Sequence, residues 1–131
     1  MSTVATVLVA SDAPWIQQEA RSALAARDMS VEIVDNGVGI ADAVSKHHPD
    51  VVILDMQISN MGGFAASREL RLEAGAGRLP ATKIVLLLDR EADRFLADRS
   101  ETDAAVLKPL NAGALRQVVR RLIAAPAKAD A

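Results

Sequence analysis

The chain lacks cysteine and has very few aromatic residues. Trp15, Phe64 and Phe95 are the only aromatic side chains among 131 residues. The absence of cysteine excludes disulfides, thiolate metal sites and cysteine nucleophiles. The shortage of aromatic rings argues against a stacking platform for nucleic-acid bases. A formal net charge of -2 gives no bulk attraction to a phosphate backbone, so we expect no nucleic-acid partner.

Long apolar segments are also lacking. No uninterrupted apolar stretch approaches the roughly 18 residues of a membrane-spanning helix, and the N-terminal Met1 to Val4 has no basic region like that of an export signal. These absences predict a cytoplasmic protein with no membrane partner. A length of 131 residues predicts one domain. We place it at residues 1–124, followed by a disordered, solvated tail at 125–131.

Short apolar runs alternate with helical patterns five times along the chain. The predicted strands are Val4 to Ala10, Val31 to Val34, Val51 to Leu54, Ile84 to Leu88 and Ala104 to Leu107. The helical patterns begin at Pro14, cover Ile40 to Val44, Phe64 to Ala74 and Glu91 to Asp98, and follow Asn111, which is a good helix cap. Continuous apolar runs are typical of strands covered on both faces. The pattern therefore predicts an α/β fold, a doubly wound five-stranded parallel sheet.

Three ionisable residues stand where predicted strands end. Asp12 follows the first strand, Asp55 the third and Lys108 the fifth. Because the carboxyl ends of parallel strands share one edge of a sheet, we expect a carboxylate nucleophile, a metal-binding carboxylate and an ammonium group to converge there. Such a set of groups favours a site that accepts phosphate.

The chain also resembles the receiver domain of bacterial response regulators, the CheY-like partners of sensor histidine kinases. The resemblance runs from Val4 to about Ile123 and depends on three motifs: Pro49 to Asp55, the Met61-Gly62-Gly63 turn, and Lys108-Pro109-Leu110. It implies a flavodoxin-like (βα)5 fold and a signalling module in a phosphorelay, not an enzyme. It also implies phosphorylation of Asp55, assisted by Lys108. The implied cofactor is Mg²⁺, bound by Asp12, Asp55 and the backbone carbonyl of Gln57.

The sequence departs from the family pattern at four positions. Ser11 replaces the first of two adjacent acidic residues, which lowers the negative charge available to magnesium. Leu88 replaces the Ser or Thr whose hydroxyl moves to the phosphoryl group, and Ala105 replaces the aromatic switch residue. Ser59 replaces a loop proline. The losses at Leu88 and Ala105 predict weak coupling between the phosphate site and the distal face, because allostery needs an element with two states.

Partner binding is the expected output. The resemblance implies a sensor histidine kinase or a phosphotransfer protein upstream and an unknown protein downstream. Arg94, Arg116 and Arg120 form a candidate partner face, and the fourth helix, fifth strand and last helix are a candidate homodimer surface.

Our principal hypothesis is a stand-alone receiver, with no output domain, that signals by contact after phosphorylation of Asp55. The alternative is a pseudo-receiver adaptor that binds its partner regardless of phosphate. A hydrolase of the haloacid-dehalogenase type requires a second Asp where Gln57 stands. A flavodoxin-like cofactor binder would need a Ser/Thr-rich and Gly-rich phosphate loop and flanking aromatics. Both rank below the receiver hypotheses.

Overall fold

A computed structural model describes residues 4–125, in which five strands alternate with five α-helices. The strands are β1 (Ala5–Ala10), β2 (Met29–Val34), β3 (Val51–Asp55), β4 (Lys83–Leu88) and β5 (Ala104–Leu107). The helices are α1 (Pro14–Ala23), α2 (Ile40–His47), α3 (Gly63–Gly75), α4 (Arg94–Arg99) and α5 (Ala112–Ala124). Short 3-10 helices at Gly37–Gly39 and Glu91–Asp93 precede α2 and α4.

The five strands form one parallel sheet in the order β2-β1-β3-β4-β5. This confirms the predicted doubly wound fold. In this order the chain reverses its direction of winding between β1 and β3, and sites in open α/β sheets lie at such a reversal. Among the described residues, no helix is both long and apolar enough to cross a membrane.

Both faces of the sheet are covered. Side chains on successive strand residues point to opposite faces, so Val9 and Ile53 pack with α1 and α5, whereas Leu8 and Val52 pack with α2, α3 and α4. All five residues of β3 are buried. Each fully buried aliphatic side chain contributes about 1.5 to 3 kcal/mol. The continuous apolar runs of the sequence are thus explained by two separate hydrophobic layers.

Local signals set the ends of the helices. Pro14 occupies the first turn of α1, where a missing backbone N–H costs nothing. The Asn111 side chain caps α5 by accepting a hydrogen bond from the Ala114 backbone N–H at 2.9 Å. Leu115, Val119 and Leu122 then form the buried stripe of α5. The caps and the apolar spacing that predicted these two helices are both present.

Two predicted boundaries differ from the structure by more than one residue. β2 begins at Met29, two residues before the predicted start, because Met29 pairs with Ala5 and is buried. The predicted fourth helix is divided into a 3-10 turn and the six-residue α4. The Asp93 carboxylate stabilises this turn by accepting a hydrogen bond from the Arg90 backbone N–H at 3.1 Å. Polar residues at the start of β2 and in the predicted fourth helix obscured the hydrophobic pattern from which the boundaries were predicted.

Ala125, the first residue of the predicted tail, lies at the end of α5. The Ala125 N–H donates to the Arg121 carbonyl at 3.0 Å, and the Ala125 carbonyl accepts from Lys83 Nζ at 3.1 Å. Ala125 therefore caps α5, and the boundary between domain and tail stays a prediction. The rest of the predicted tail, 126–131, lies outside the described residues.

Arg71 on α3 links three segments at the amino edge of the sheet. Its guanidinium donates to the carbonyls of Thr82 and Glu101, at 2.9 and 2.8 Å, and to Asp103 Oδ2 at 2.6 Å. Asp103 Oδ2 also accepts from the Ile84 backbone N–H at 2.7 Å. Since a guanidinium has five donors in a rigid fork, one side chain fixes α3 against the starts of β4 and β5.

Gly63 lets α3 begin close to the end of β3. A Cβ atom at Gly63 would lie 2.8 Å from the Asp55 carbonyl oxygen and 2.9 Å from Met56 Cα. A Cβ at the preceding Gly62 would lie 3.6 Å from the Met56 carbonyl oxygen, which is an ordinary contact. The backbone at Gly63 therefore lies too close to Asp55 and Met56 to admit a Cβ atom, whereas the backbone at Gly62 does not.

We expect Gly63→Ala to lower the free energy of unfolding by about 1 to 3 kcal/mol, because the backbone beside Asp55 must move to admit the methyl group. Gly62→Ala is the matched control and should cost only about 0.5 kcal/mol at this helix cap. Urea denaturation of the two variants measures the difference. Equal destabilisation would contradict the proposed close approach.

Candidate functional site

The predicted site residues lie at the carboxyl edge of the sheet. Asp55 is the last residue of β3, Ser11 and Asp12 follow β1, and Lys108 follows β5. β1 is the direct neighbour of β3, whereas β4 separates β3 from β5. Lys108 must therefore reach across the end of β4 to approach Asp55.

Asp55 is the centre of this edge. Its side chain is only 2% exposed, and both carboxylate oxygens accept hydrogen bonds. Oδ1 accepts from Lys108 Nζ at 2.5 Å and from the Gln57 backbone N–H at 3.0 Å, and Oδ2 accepts from the Ser11 hydroxyl at 2.7 Å. Three donors, one of them cationic, compensate the loss of water around the buried charge.

Ser11 contacts Asp55 directly through its hydroxyl group. The residue is fully buried, and its Oγ also accepts from the Ala13 backbone N–H at 3.1 Å. Its carbonyl accepts from the Gln17 side chain at 2.6 Å. The start of α1 therefore fixes the Ser11 hydroxyl in place. The sequence predicted a lost acid at Ser11 but not this contact with Asp55.

Lys108 has a second acceptor that the sequence analysis missed. Its ammonium donates to Asp89 Oδ1 at 2.9 Å as well as to Asp55. Asp89 directly follows Leu88, the last residue of β4. The rule that selected Asp12 and Asp55, an ionisable residue just after a strand, applies equally to Asp89. Two carboxylates therefore share one ammonium group at this edge.

The ion pairs shift the pKa values of both partners. Burial lowers the pKa of Lys108, but hydrogen bonds to Asp55 and Asp89 and the charges of both carboxylates outweigh burial and leave that pKa above its usual value. Burial raises the pKa of Asp89, yet hydrogen bonds from Lys108 and the Gln57 side chain leave it below its usual value. Lys108 and Asp89 are therefore both charged at neutral pH.

The oxygen donors at this edge fit magnesium. Asp12 is exposed beside Ser11, and Gln57 is an exposed residue two positions after Asp55. Carboxylate and carbonyl oxygens are the hard ligands that Mg²⁺ prefers, and Mg²⁺ is usually held by one or two carboxylates together with water. Residues 4–125 contain no group of three or more His, Cys, Asp or Glu side chains placed to hold a metal. Asp12, Asp55 and the Gln57 carbonyl therefore stay a prediction as magnesium ligands.

The two switch positions belong to the hydrophobic layer beneath α4. Leu88 is fully buried and packs in the same cluster as Ala97 of α4, and Ala105 is half-buried against that cluster. Leu88 has no hydroxyl to offer a phosphoryl group, and Ala105 has only a methyl group to move. The absence of a polar or aromatic switch therefore remains the prediction at these positions.

The candidate partner face does not form a single patch. Arg116 donates to the Ala23 carbonyl at 2.8 Å, and Arg120 pairs with both oxygens of Asp28 at 3.1 Å, so both approach α1 and the loop after it. Arg94 lies on α4, which covers the opposite face of the sheet, and pairs with Glu91. The three arginines stay untested as partner contacts.

Comparisons with known proteins agree with the fold. A family model described as the response regulator receiver domain matches residues 7–120. The chain is 36% identical over 124 residues to the transcriptional regulatory protein KdpE of Mycobacterium tuberculosis, covering 91% of this chain and 53% of KdpE. It therefore spans about half the length of KdpE.

Two further similarities cover whole proteins or chains. Protein PilH of Pseudomonas aeruginosa is 25% identical over 121 residues, covering 92% of this chain and 99% of PilH. The receiver domain of sensor histidine kinase PA1611, also from Pseudomonas aeruginosa, superposes with a TM-score of 0.75 at 20% identity, covering 94% of this chain and 100% of that one. That structure has a magnesium ion coordinated in its active-site cleft. At this identity the likeness shows the fold.

Proposed function

This chain belongs to the response regulator receiver domain family, and from that premise we propose that it accepts a phosphoryl group on Asp55 in a two-component or phosphorelay pathway. Receiver domains are signalling modules that interact with histidine kinases or phosphotransfer proteins. The observation that supports the proposal is the buried Asp55 carboxylate with the Lys108 ammonium 2.5 Å from Oδ1. The pair supplies a nucleophile and the charge that phosphoryl transfer needs.

In the proposed step, one Asp55 oxygen attacks the phosphorus atom of the donor. A phosphorus–oxygen bond to Asp55 forms, the bond between phosphorus and the donor breaks, and the donor leaves with that electron pair. Lys108 keeps an N–H for the phosphoryl oxygens, since an ammonium has three protons and two are already donated. Ser11 and the Gln57 backbone N–H orient the carboxylate.

Asp12, Asp55 and the Gln57 carbonyl are the residues that would hold Mg²⁺. When bound there, Mg²⁺ supplies charge neutralisation of the phosphoryl oxygens. Because Ser11 replaces a carboxylate, Asp12 is the side chain on which this affinity mainly depends. Asp55 is shared between nucleophile and metal ligand.

We further propose that the domain over residues 1–124 signals by protein–protein contact. The match along 99% of PilH supports this part of the proposal. The proposed upstream partner is a sensor histidine kinase or phosphotransfer protein. The surfaces proposed for downstream contact or self-association are α4, β5 and α5. Arg94 on α4, and Arg116 and Arg120 on α5, are proposed as two separate contact sites.

A second candidate function is a pseudo-receiver adaptor that binds its partner regardless of phosphate. The packing of Leu88 and Ala105 favours it, because neither side chain provides a second state for a phosphoryl group to select. The two functions share the fold and differ in whether Asp55 chemistry reaches the partner surface.

The proposed function predicts slow, magnesium-dependent phosphorylation of Asp55. Incubation with acetyl phosphate and Mg²⁺ should add the mass of one phosphoryl group, and Asp55→Asn should abolish the adduct by removing the nucleophile. Asp98→Asn is the matched control, because it removes an exposed carboxylate of α4 outside the site. Intact-mass spectrometry over time gives the rate. An adduct retained in Asp55→Asn would reject the assignment, and no adduct in any protein would favour the adaptor.

Magnesium affinity should follow the number of carboxylates beside Asp55. Asp12→Ala should lower the affinity at least about tenfold, because a remaining carboxylate and a carbonyl are a poor site for a cation that dehydrates reluctantly. Ser11→Asp should raise the affinity by restoring the missing charge. Isothermal titration calorimetry measures both. Identical binding in the three proteins would show that magnesium does not bind here.

Weak coupling between the site and α4 is the third expectation. The phosphoryl mimic beryllofluoride should slow amide exchange in the loops around Asp12 and Asp55, but should change exchange from Glu91 to Leu122 very little. The reason is that Leu88 and Ala105 lack the groups that would transmit the change. Hydrogen exchange with mass spectrometry tests this. Strong new protection in α4 and α5 would require a different switch.

A further inference from the structure

Asp89 occupies the path that Lys108 must take to reach Asp55. β4 separates β3 from β5 in the sheet, so a residue directly after β4 lies between the ends of the other two strands. Lys108 crosses this gap and donates to Asp89 Oδ1 at 2.9 Å on one side and to Asp55 Oδ1 at 2.5 Å on the other. The ammonium is thus held between two carboxylates.

The surroundings of Asp89 keep it in this position. Its backbone N–H donates to Met56 Sδ at 3.3 Å, in the loop that follows Asp55. Its side chain is 32% exposed, against 10% for Lys108. Asp89 is therefore the more exposed of the two carboxylates that contact Lys108, and Asp55 is the buried one.

The charge of this trio opposes an incoming phosphoryl group. Two carboxylates around one ammonium leave one net negative charge, whereas Asp55 and Lys108 alone would be neutral. A phosphoryl donor such as acetyl phosphate is a dianion at neutral pH. A net negative charge beside the atom that it must approach repels it. Lys108 must also share its positive charge between Asp89 and the phosphoryl oxygens.

We propose that Asp89 is a positioning residue that holds Lys108 as a counter-ion and thereby slows phosphoryl transfer to Asp55. This inference rests on the proposed function, because it concerns the rate of that reaction. Asp89 touches neither the phosphorus atom nor the nucleophile. It acts through Lys108 and through its charge.

The test compares Asp89→Asn with the unaltered chain in the presence of Mg²⁺. With acetyl phosphate, Asp89→Asn should be phosphorylated about three to five times faster, the change expected from one partly exposed ion pair. Phosphoramidate carries less negative charge, so its rate should rise less than twofold, as an estimate from the same interaction. A role confined to folding would change both rates alike.

Two control variants separate the local charge from general effects. Asp89→Glu keeps the carboxylate and should retain the slow rate with acetyl phosphate. Asp98→Asn makes the same change of charge on exposed α4 and should also retain the slow rate. An Asp89→Asn rate equal to or below that of the unaltered chain would overturn the inference, as would equal acceleration in Asp98→Asn.

A second measurement keeps the inference testable if no protein is phosphorylated, an outcome that would defeat the proposed function by itself. Acetylation by an N-hydroxysuccinimide ester, followed by peptide mass spectrometry, reports the access of reagent to Lys108. Asp89→Asn should raise the labelling of Lys108 relative to Lys46, an exposed residue of α2 that serves as the internal reference. An unchanged ratio would show that Asp89 does not hold Lys108.

Discussion

The site depends on the burial of one carboxylate beside one ammonium group. Asp55 is almost fully shielded from water, and a lone charge in that position would be strongly unfavourable. Lys108, Ser11 and the Gln57 backbone N–H make it tolerable, and they come from three different segments of the chain. The sheet must therefore bring β1, β3 and β5 into register before the carboxylate is satisfied. The chemistry of the site therefore depends on the completed sheet.

Much of the fold was predictable because its signals are local. Unbroken apolar runs marked the strands, and Pro14 and Asn111 marked helix starts that the structure confirms. Alternation of strand and helix predicted a parallel sheet, and with it the edge where Asp12, Asp55 and Lys108 stand. The predicted start of β2 was wrong because it depends on the pairing of Met29 with Ala5 in the folded chain. The predicted single fourth helix was wrong because the Asp93 hydrogen bond that stabilises the 3-10 turn also forms only on folding.

The details of the site were less predictable, since they depend on side-chain directions. Sequence reasoning treated Ser11 as a lost acid, whereas the structure places its hydroxyl 2.7 Å from Asp55. It overlooked Asp89, although that residue follows a strand just as Asp12 does. The strand-end rule identifies which residues share an edge, but only the order of strands shows that β4 lies between β3 and β5 and brings Asp89 to Lys108.

The Arg71 linkage has a consequence for how the sequence of this chain can change. It fixes α3 to the starts of β4 and β5 at the edge of the sheet opposite Asp55. Cohesion of the sheet at that edge does not depend on Ser11, Leu88 or Asp89. Residues around Asp55 can therefore be exchanged without loss of the Arg71 contacts that hold the opposite edge of the sheet. Because the Arg71 contacts and the Asp55 site lie at opposite edges of the sheet, a receiver domain can depart from the family pattern at several site positions and still keep its fold.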